Sequence, residues 1–171
     1  MPVHLALSHI ETKKYWWNCS VCRGEYLCSI PIRREVPNTC PYCNNEQVLK
    51  GYNTIPDIYP ELCDYWSSKN LVKTDEVTRS VEAENKIFTW ICDCCNLEFQ
   101  ERLGIVLEAF TKNNSSKLNS ICPYCNKKLP KPNETVNYVK PYLINEWAKE
   151  LNRDIDTFFY DSNVLVDWIC R

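Results

Sequence analysis

The sequence predicts a small α+β protein built from tandem modules, each a short β-hairpin with short helices, pinned by four cysteines. Three observations predict it. First, Cys19-x-x-Cys22 is followed by Cys40-Pro41-Tyr42-Cys43, and the same pair of pieces returns as Cys92-x-x-Cys95 and Cys122-Pro123-Tyr124-Cys125. Second, a tryptophan stands two places before the first cysteine in both copies, Trp17 and Trp90, and again before Cys170. Third, Pro60-x-Leu62-x-x-x-Trp66 recurs as Pro141-x-Leu143-x-x-x-Trp147. The period is roughly 80 residues, and each repeat runs in the order helix, connector, strand, first knuckle, hairpin, second knuckle.

Two thiolates held two residues apart can face one tetrahedral cation, and two such pairs supply all four ligands of a closed, structural Zn²⁺ site. The expected cofactors are therefore two zinc ions. Cys19, Cys22, Cys40 and Cys43 would hold one, and Cys92, Cys95, Cys122 and Cys125 the other. Cys94 competes with Cys92 and Cys95, but only Cys92 with Cys95 keeps both the pair spacing and the Trp-x-Cys register. Cys28 falls on the inward side of an alternating run and reads as a small buried hydrophobe.

Composition narrows the class. The 171 residues have the charge and apolar fractions of a globular protein. Residues 1–10 lack a basic leader with a long apolar run, and no stretch approaches the roughly 18 apolar residues of a membrane span. The twelve cysteines, paired as they are, read as metal-bound thiolates in a reducing compartment rather than as disulfides. The expected location is the cytoplasm, with no membrane partner. Formal charge is −2, and two tetrathiolate zinc centres would lower it to about −6. A protein relying on bulk phosphate attraction would be strongly basic, so any nucleic-acid contact has to be local.

In chain order, residues 8–26 read as a strand entering the first knuckle, with Tyr15, Trp16 and Trp17 as bulky cover for a small core. Each knuckle needs a residue tolerating positive φ after its second cysteine; Asn44, Asn96 and Asn126 suit, and Gly24 is expected to replace Arg23 in that role. Tyr26, Cys28, Ile30 and Ile32 alternate like a half-buried strand. Pro60 and Pro141 suit first turns of helices carrying Leu62 and Trp66, and Leu143, Trp147 and Leu151, inward, with stops at Asn70 and Asn152. In the longer second link, a strand at 98–102 precedes helical spacing at Leu103, Val106, Leu107 and Phe110, then a polar loop over 111–119.

The expected modules are residues 1–50, which lack the helix of the repeat; residues 51–130, a complete module; and residues 131–171, an incomplete third copy with only Cys170 of its ligands. Either the chain is a piece of a longer protein or this third copy is a metal-free cap, packed on the second module with Trp147 buried.

Together, Pro-x-Leu-x-x-x-Trp, Trp-x-Cys-x-x-Cys and Cys-Pro-Tyr-Cys resemble a bacterial and large-virus family of zinc-ribbon, treble-clef-like domains. The resemblance covers nearly the whole chain. Its members occur as tandem repeats, some beside endonuclease-like domains. The family's usual Gly-His after the second cysteine is replaced here by Arg23-Gly24-Glu25 and Asn96-Leu97-Glu98. The resemblance implies a zinc-bearing recognition module with a loose association with DNA transactions.

Catalysis has little material. The three glycines, Gly24, Gly51 and Gly104, form no phosphate-cradling run, and the two histidines, His4 and His9, sit at the N-terminus. Asp57 with Glu84, Asn85 and Lys86 could sketch a nuclease-like Mg²⁺ site, but the acids fall before a helix and in a charged connector rather than on adjoining strands. The expected protein is not an enzyme, and no small-molecule substrate is expected. Two recognition functions remain. Lys13, Lys14, Arg23, Arg33 and Arg34 lie among aromatics and could grip the phosphates of DNA or RNA while bases stack. Residues 1–50 carry six basic and four acidic side chains, the least acidic part of the chain. The alternative is a protein-binding or scaffolding module, which suits the acidic remainder.

Overall fold

A computed structural model describes residues 13–36, 38–112 and 117–170. The start of the expected first strand, 8–12, lies outside these residues, as do His4 and His9. The fold is small α+β, with two short hairpins and short helices. It divides into two compact units. Unit one runs up to Trp90 and takes in Gln100–Glu108; unit two comprises Ile91–Phe99 and the chain from Ala109 onward. Among the described residues no helix is long and apolar enough to cross a membrane.

In unit one, β1 (Lys14–Asn18) pairs antiparallel with β2 (Glu25–Ser29), Lys14 opposite Ser29 and Asn18 opposite Glu25. The side chains alternate: Tyr26 and Cys28 are buried with Cys19 and Cys40, and Trp17 packs against them. Trp16 points the other way and is 70% exposed, so it does not cover the core as the sequence suggested. The expected strand through Ile30 and Ile32 stops at Ser29, where β1 runs out of partners. Pro31 offers no ladder donor but fits a first helical turn, so the chain turns into α1 (Ile30–Glu35) with both isoleucines exposed.

After the second knuckle comes α2 (Ile55–Ile58), opened by a capping box between Thr54 and Asp57. A 3₁₀ helix over Pro60–Tyr65 buries Leu62. It ends well before Asn70 because Trp66 leaves the helix to form a bridge with Trp90, and Ser67 N–H donates to Thr89 O at 3.2 Å. Tertiary pairing here overrides a four-residue periodicity. α3 (Val81–Asn85), capped by the Ser80 hydroxyl, then leads to β3 (Ile87–Ile91).

β3 pairs with β4 (Glu98–Arg102), and α4 (Leu103–Lys112) follows directly, as its spacing predicts, burying Leu103, Val106 and Leu107. In unit two the later chain repeats the connector: α5 (Val136–Val139), a 3₁₀ helix over Pro141–Asn145, and a bridge from Trp147 to Trp168. Trp147 is buried, with its ring against Phe158 and Trp168. Leu151 does not share that face. The helix has ended six residues earlier, and Leu151 is exposed.

Candidate metal centres

Each first knuckle closes on its own backbone. Cys19 N–H donates to Gly24 O at 3.0 Å and Arg23 N–H to Cys19 O at 2.9 Å; in the second copy Cys92 N–H donates to Leu97 O and Asn96 N–H to Cys92 O. This tight turn forces the residue after the second cysteine to positive φ, 63° at Arg23 and 56° at Asn96. Arg23 itself therefore adopts the conformation assigned from sequence to Gly24. What Gly24 supplies is room: a Cβ there would sit 2.6 Å from Cδ2 of Tyr42.

The Cys-Pro-Tyr-Cys knuckles turn one residue later. Asn45 N–H donates to Tyr42 O and Lys127 N–H to Tyr124 O, placing positive φ on Asn45 (59°) and Lys127 (53°). Asn44 and Asn126 serve as side-chain clamps instead. The Asn126 amide donates to the carbonyls of Asn119, Ser120 and Cys122, and that of Asn44 to Asn38 O. Asparagine is favoured here for its amide, not for its tolerance of φ.

The result is two clusters, Cys19, Cys22, Cys40 and Cys43 in unit one and Cys92, Cys95, Cys122 and Cys125 in unit two. Sγ atoms of facing pairs lie 3.6 Å apart at Cys19–Cys43, Cys22–Cys40 and Cys92–Cys125, and 3.7 Å apart at Cys95–Cys122. A tetrahedron with Zn–S bonds of about 2.3 Å has edges of about 3.8 Å. The sulfurs thus already stand at the corners of a zinc coordination sphere. In both clusters the first cysteine of each pair is buried and the second half-buried, so the sites are closed rather than open to substrate. Cys94 is exposed and outside the cluster, and Cys28 is buried in the hairpin core.

The charge balance also asks for a cation. The backbone N–H of Cys22 holds the Cys19 thiol down to about 6, whereas burial pushes Cys22 up to about 12 and Cys122 up to about 11. Four thiols so close cannot all ionise on their own, and a dication among them makes the tetrathiolate state favourable. Gly24 N–H donates to Cys22 Sγ at 3.4 Å, and the Tyr52 hydroxyl lies 3.6 Å from Cys43 Sγ, which raises the Tyr52 pKa to about 12. These contacts orient the sulfurs, as outer-shell groups do in metal sites.

The basic residues around the first hairpin fall into separate groups. Lys13 lies over the Tyr15 ring at 5.5 Å and Arg33 over the Trp17 ring at 5.8 Å, on the side of β1 that carries Tyr15 and Trp17. Lys14 shares the opposite side with exposed Trp16, which stands across from exposed Leu27. Arg23 sits in the knuckle at the far end of the hairpin, and Arg34 is exposed beside Glu35 at 3.5 Å. The exposed indole of Trp16 went unrecognised in the sequence because three consecutive aromatics do not reveal which face is covered.

Residues 6–46 match the family described as a probable treble clef zinc finger domain. A search of curated proteins finds no match. The two four-cysteine clusters fit tandem modules of this kind, positioned to bind two zinc ions.

Proposed function

We propose that this tandem zinc module is a non-catalytic recognition protein that binds nucleic acid, single strands in preference to duplex, through the first hairpin. The supporting observation is Trp16, an indole 70% exposed beside Lys14 on a strand held rigid by the knuckle it enters. A base stacked on such a ring contributes about 1–3 kcal/mol, and neighbouring cations take the phosphates. Arg23 at the knuckle end and exposed Arg34 add positive charge near the hairpin, and Lys13 and Arg33 add it on the Tyr15 and Trp17 face. Structural zinc fits this role because it fixes the hairpin without taking part in chemistry.

The test is a titration with single-stranded and duplex DNA and RNA at two salt concentrations. Binding is expected to weaken with salt, to fall in Trp16→Ala, and to show a shallower salt slope in Arg33→Ala/Arg34→Ala. Absence of binding at low salt, or indifference to Trp16→Ala, refutes the reading. Protein binding is the second reading. The exposed Trp16 stands across from exposed Leu27, an apolar pair that suits a protein partner as well.

A further inference from the structure

The two units share one backbone scaffold around the second knuckle and the connector, and matching hydrogen bonds fix the register between them. Glu46 N–H donates to Pro41 O as Lys128 N–H does to Pro123 O, each at 2.8 Å. Trp66 Nε1 donates to Val72 O as Trp147 Nε1 does to Arg153 O, each at 3.1 Å. Glu76 N–H donates to Lys73 O at 3.0 Å, and Thr157 N–H to Asp154 O at 2.9 Å. Glu46, Val72 and Glu76 of unit one therefore stand where unit two has Lys128, Arg153 and Thr157. The scaffold closes with either set, so it does not require acids at these places.

In unit one these three residues meet on a slot of about 210 Å³. Buried Val77 and Phe88 form its floor, Val48 and Val72 add part-exposed apolar walls, and Glu46, Glu76 and Glu82 bring carboxylates to the lining. Glu82 is matched by Lys86, also on the wall, at 2.8 Å. Three carboxylates against that one ammonium leave the slot negative. Its shape is held from both sides, since the Thr78 hydroxyl donates to Asn45 O of the knuckle at 2.7 Å and Lys73 N–H donates to Glu76 Oε2 at 3.3 Å. The volume is below the roughly 300–1,000 Å³ of small-molecule sites, so it suits a single side chain rather than a metabolite.

We propose that this slot receives an arginine side chain from a basic segment of a protein partner. The methylene stem lies along Val48 and Val72, and the guanidinium meets the carboxylates of Glu46 and Glu76. An apolar floor under an acidic edge complements a long side chain with a charged head, and the planar guanidinium fork matches carboxylates better than an ammonium does. Unit two, with Lys128 and Arg153 at the equivalent positions, would repel the same partner, so the charge exchange between the copies directs it to unit one. The hairpin surface takes no part, and the inference is independent of nucleic-acid binding.

The test uses the zinc-loaded full chain at low salt and a labelled peptide of alternating arginine and glycine, followed by fluorescence anisotropy. Saturable binding is expected, weakened about fivefold by Glu46→Gln and by Glu76→Gln, and about tenfold or more by Val72→Arg, which puts the residue of unit two into the slot. The same peptide with lysine in place of arginine should bind more weakly. Each variant should keep both zinc ions, because Glu46 and Val72 are exposed and glutamine at position 76 can still accept the Lys73 N–H. Glu150→Gln, which removes an exposed acid of unit two, should change nothing. Four results overturn the proposal. They are no saturable binding, equal binding of the lysine peptide, an equal loss in Glu150→Gln, which would reduce the effect to general attraction, and a concentration-dependent dimer that Val72→Arg dissolves, which would assign the slot to Arg33 or Arg34 of a second copy.

Discussion

Trp66 meets Trp90 edge to face, with ring centroids 5.1 Å apart and planes at 88°. Trp147 meets Trp168 in the same way, at 5.4 Å and 84°. Two sequence signatures that look independent, the proline-led helical turn and the Trp-x-Cys strand, are therefore halves of one packing unit. It fastens each connector to the extended segment that leads to the next cysteine, Cys92 or Cys170.

Trp90→Ala should destabilise the zinc-loaded protein by about 3–5 kcal/mol, the usual cost of removing a fully buried large aromatic. It also strands the carbonyl of Glu101. Trp168→Ala should cost far less, because its ring is half exposed. Urea unfolding midpoints of the two variants make the comparison, and equal losses would contradict the assignment of Trp90 as the packed member.

Gly24→Ala should destabilise the first module by about 1–3 kcal/mol, since the new methyl group collides with the Tyr42 ring. Moving that ring also endangers the 3.0 Å hydrogen bond from its hydroxyl to Glu25 O. Lys127→Gly should do the opposite, stabilising by about 0.5–1 kcal/mol by relieving a positive φ. Thermal melts at saturating zinc distinguish the signs.

The eight clustered cysteines were legible because ligand spacing is a local code: two residues between thiolates suffice to specify a shared cation. Helix α4 and strand β4 were legible for a similar reason, since their periodicity agrees with their packing. The turns were less so. Positive φ at Arg23 and Lys127 comes from backbone hydrogen bonds that close the knuckles, and no side-chain preference announces it. Periodicity alone makes the helical turn at Pro60 too long, because its end is set by Trp90, more than twenty residues away. The sequence alone counts Trp16 with the core, because only the pairing of β1 with β2 decides which of three aromatics faces out.

The capping box of α2 predicts an acid-side dependence of stability. The Thr54 hydroxyl and backbone N–H bond the Asp57 carboxylate and lower its pKa from 3.8. A depressed folded pKa means that the contribution is complete above the unfolded value and is lost as pH falls through the folded one. Thr54→Ala should cost about 1 kcal/mol at neutral pH and should lose this part of the decline below pH 4. An unchanged acid profile would show that the box does not couple to folding.

Both modules depend on their metal, and native mass spectrometry of the purified chain measures the metal content directly. Two zinc ions per chain are expected, one in Cys43→Ser, one in Cys125→Ser and none in the double variant, with Cys28→Ser and Cys94→Ser each retaining two. The module that loses its ion should also unfold, because a small core depends on its metal. One or no zinc in the unaltered chain, or loss of an ion from Cys94→Ser, would contradict the two closed tetrathiolate sites on which the fold is built.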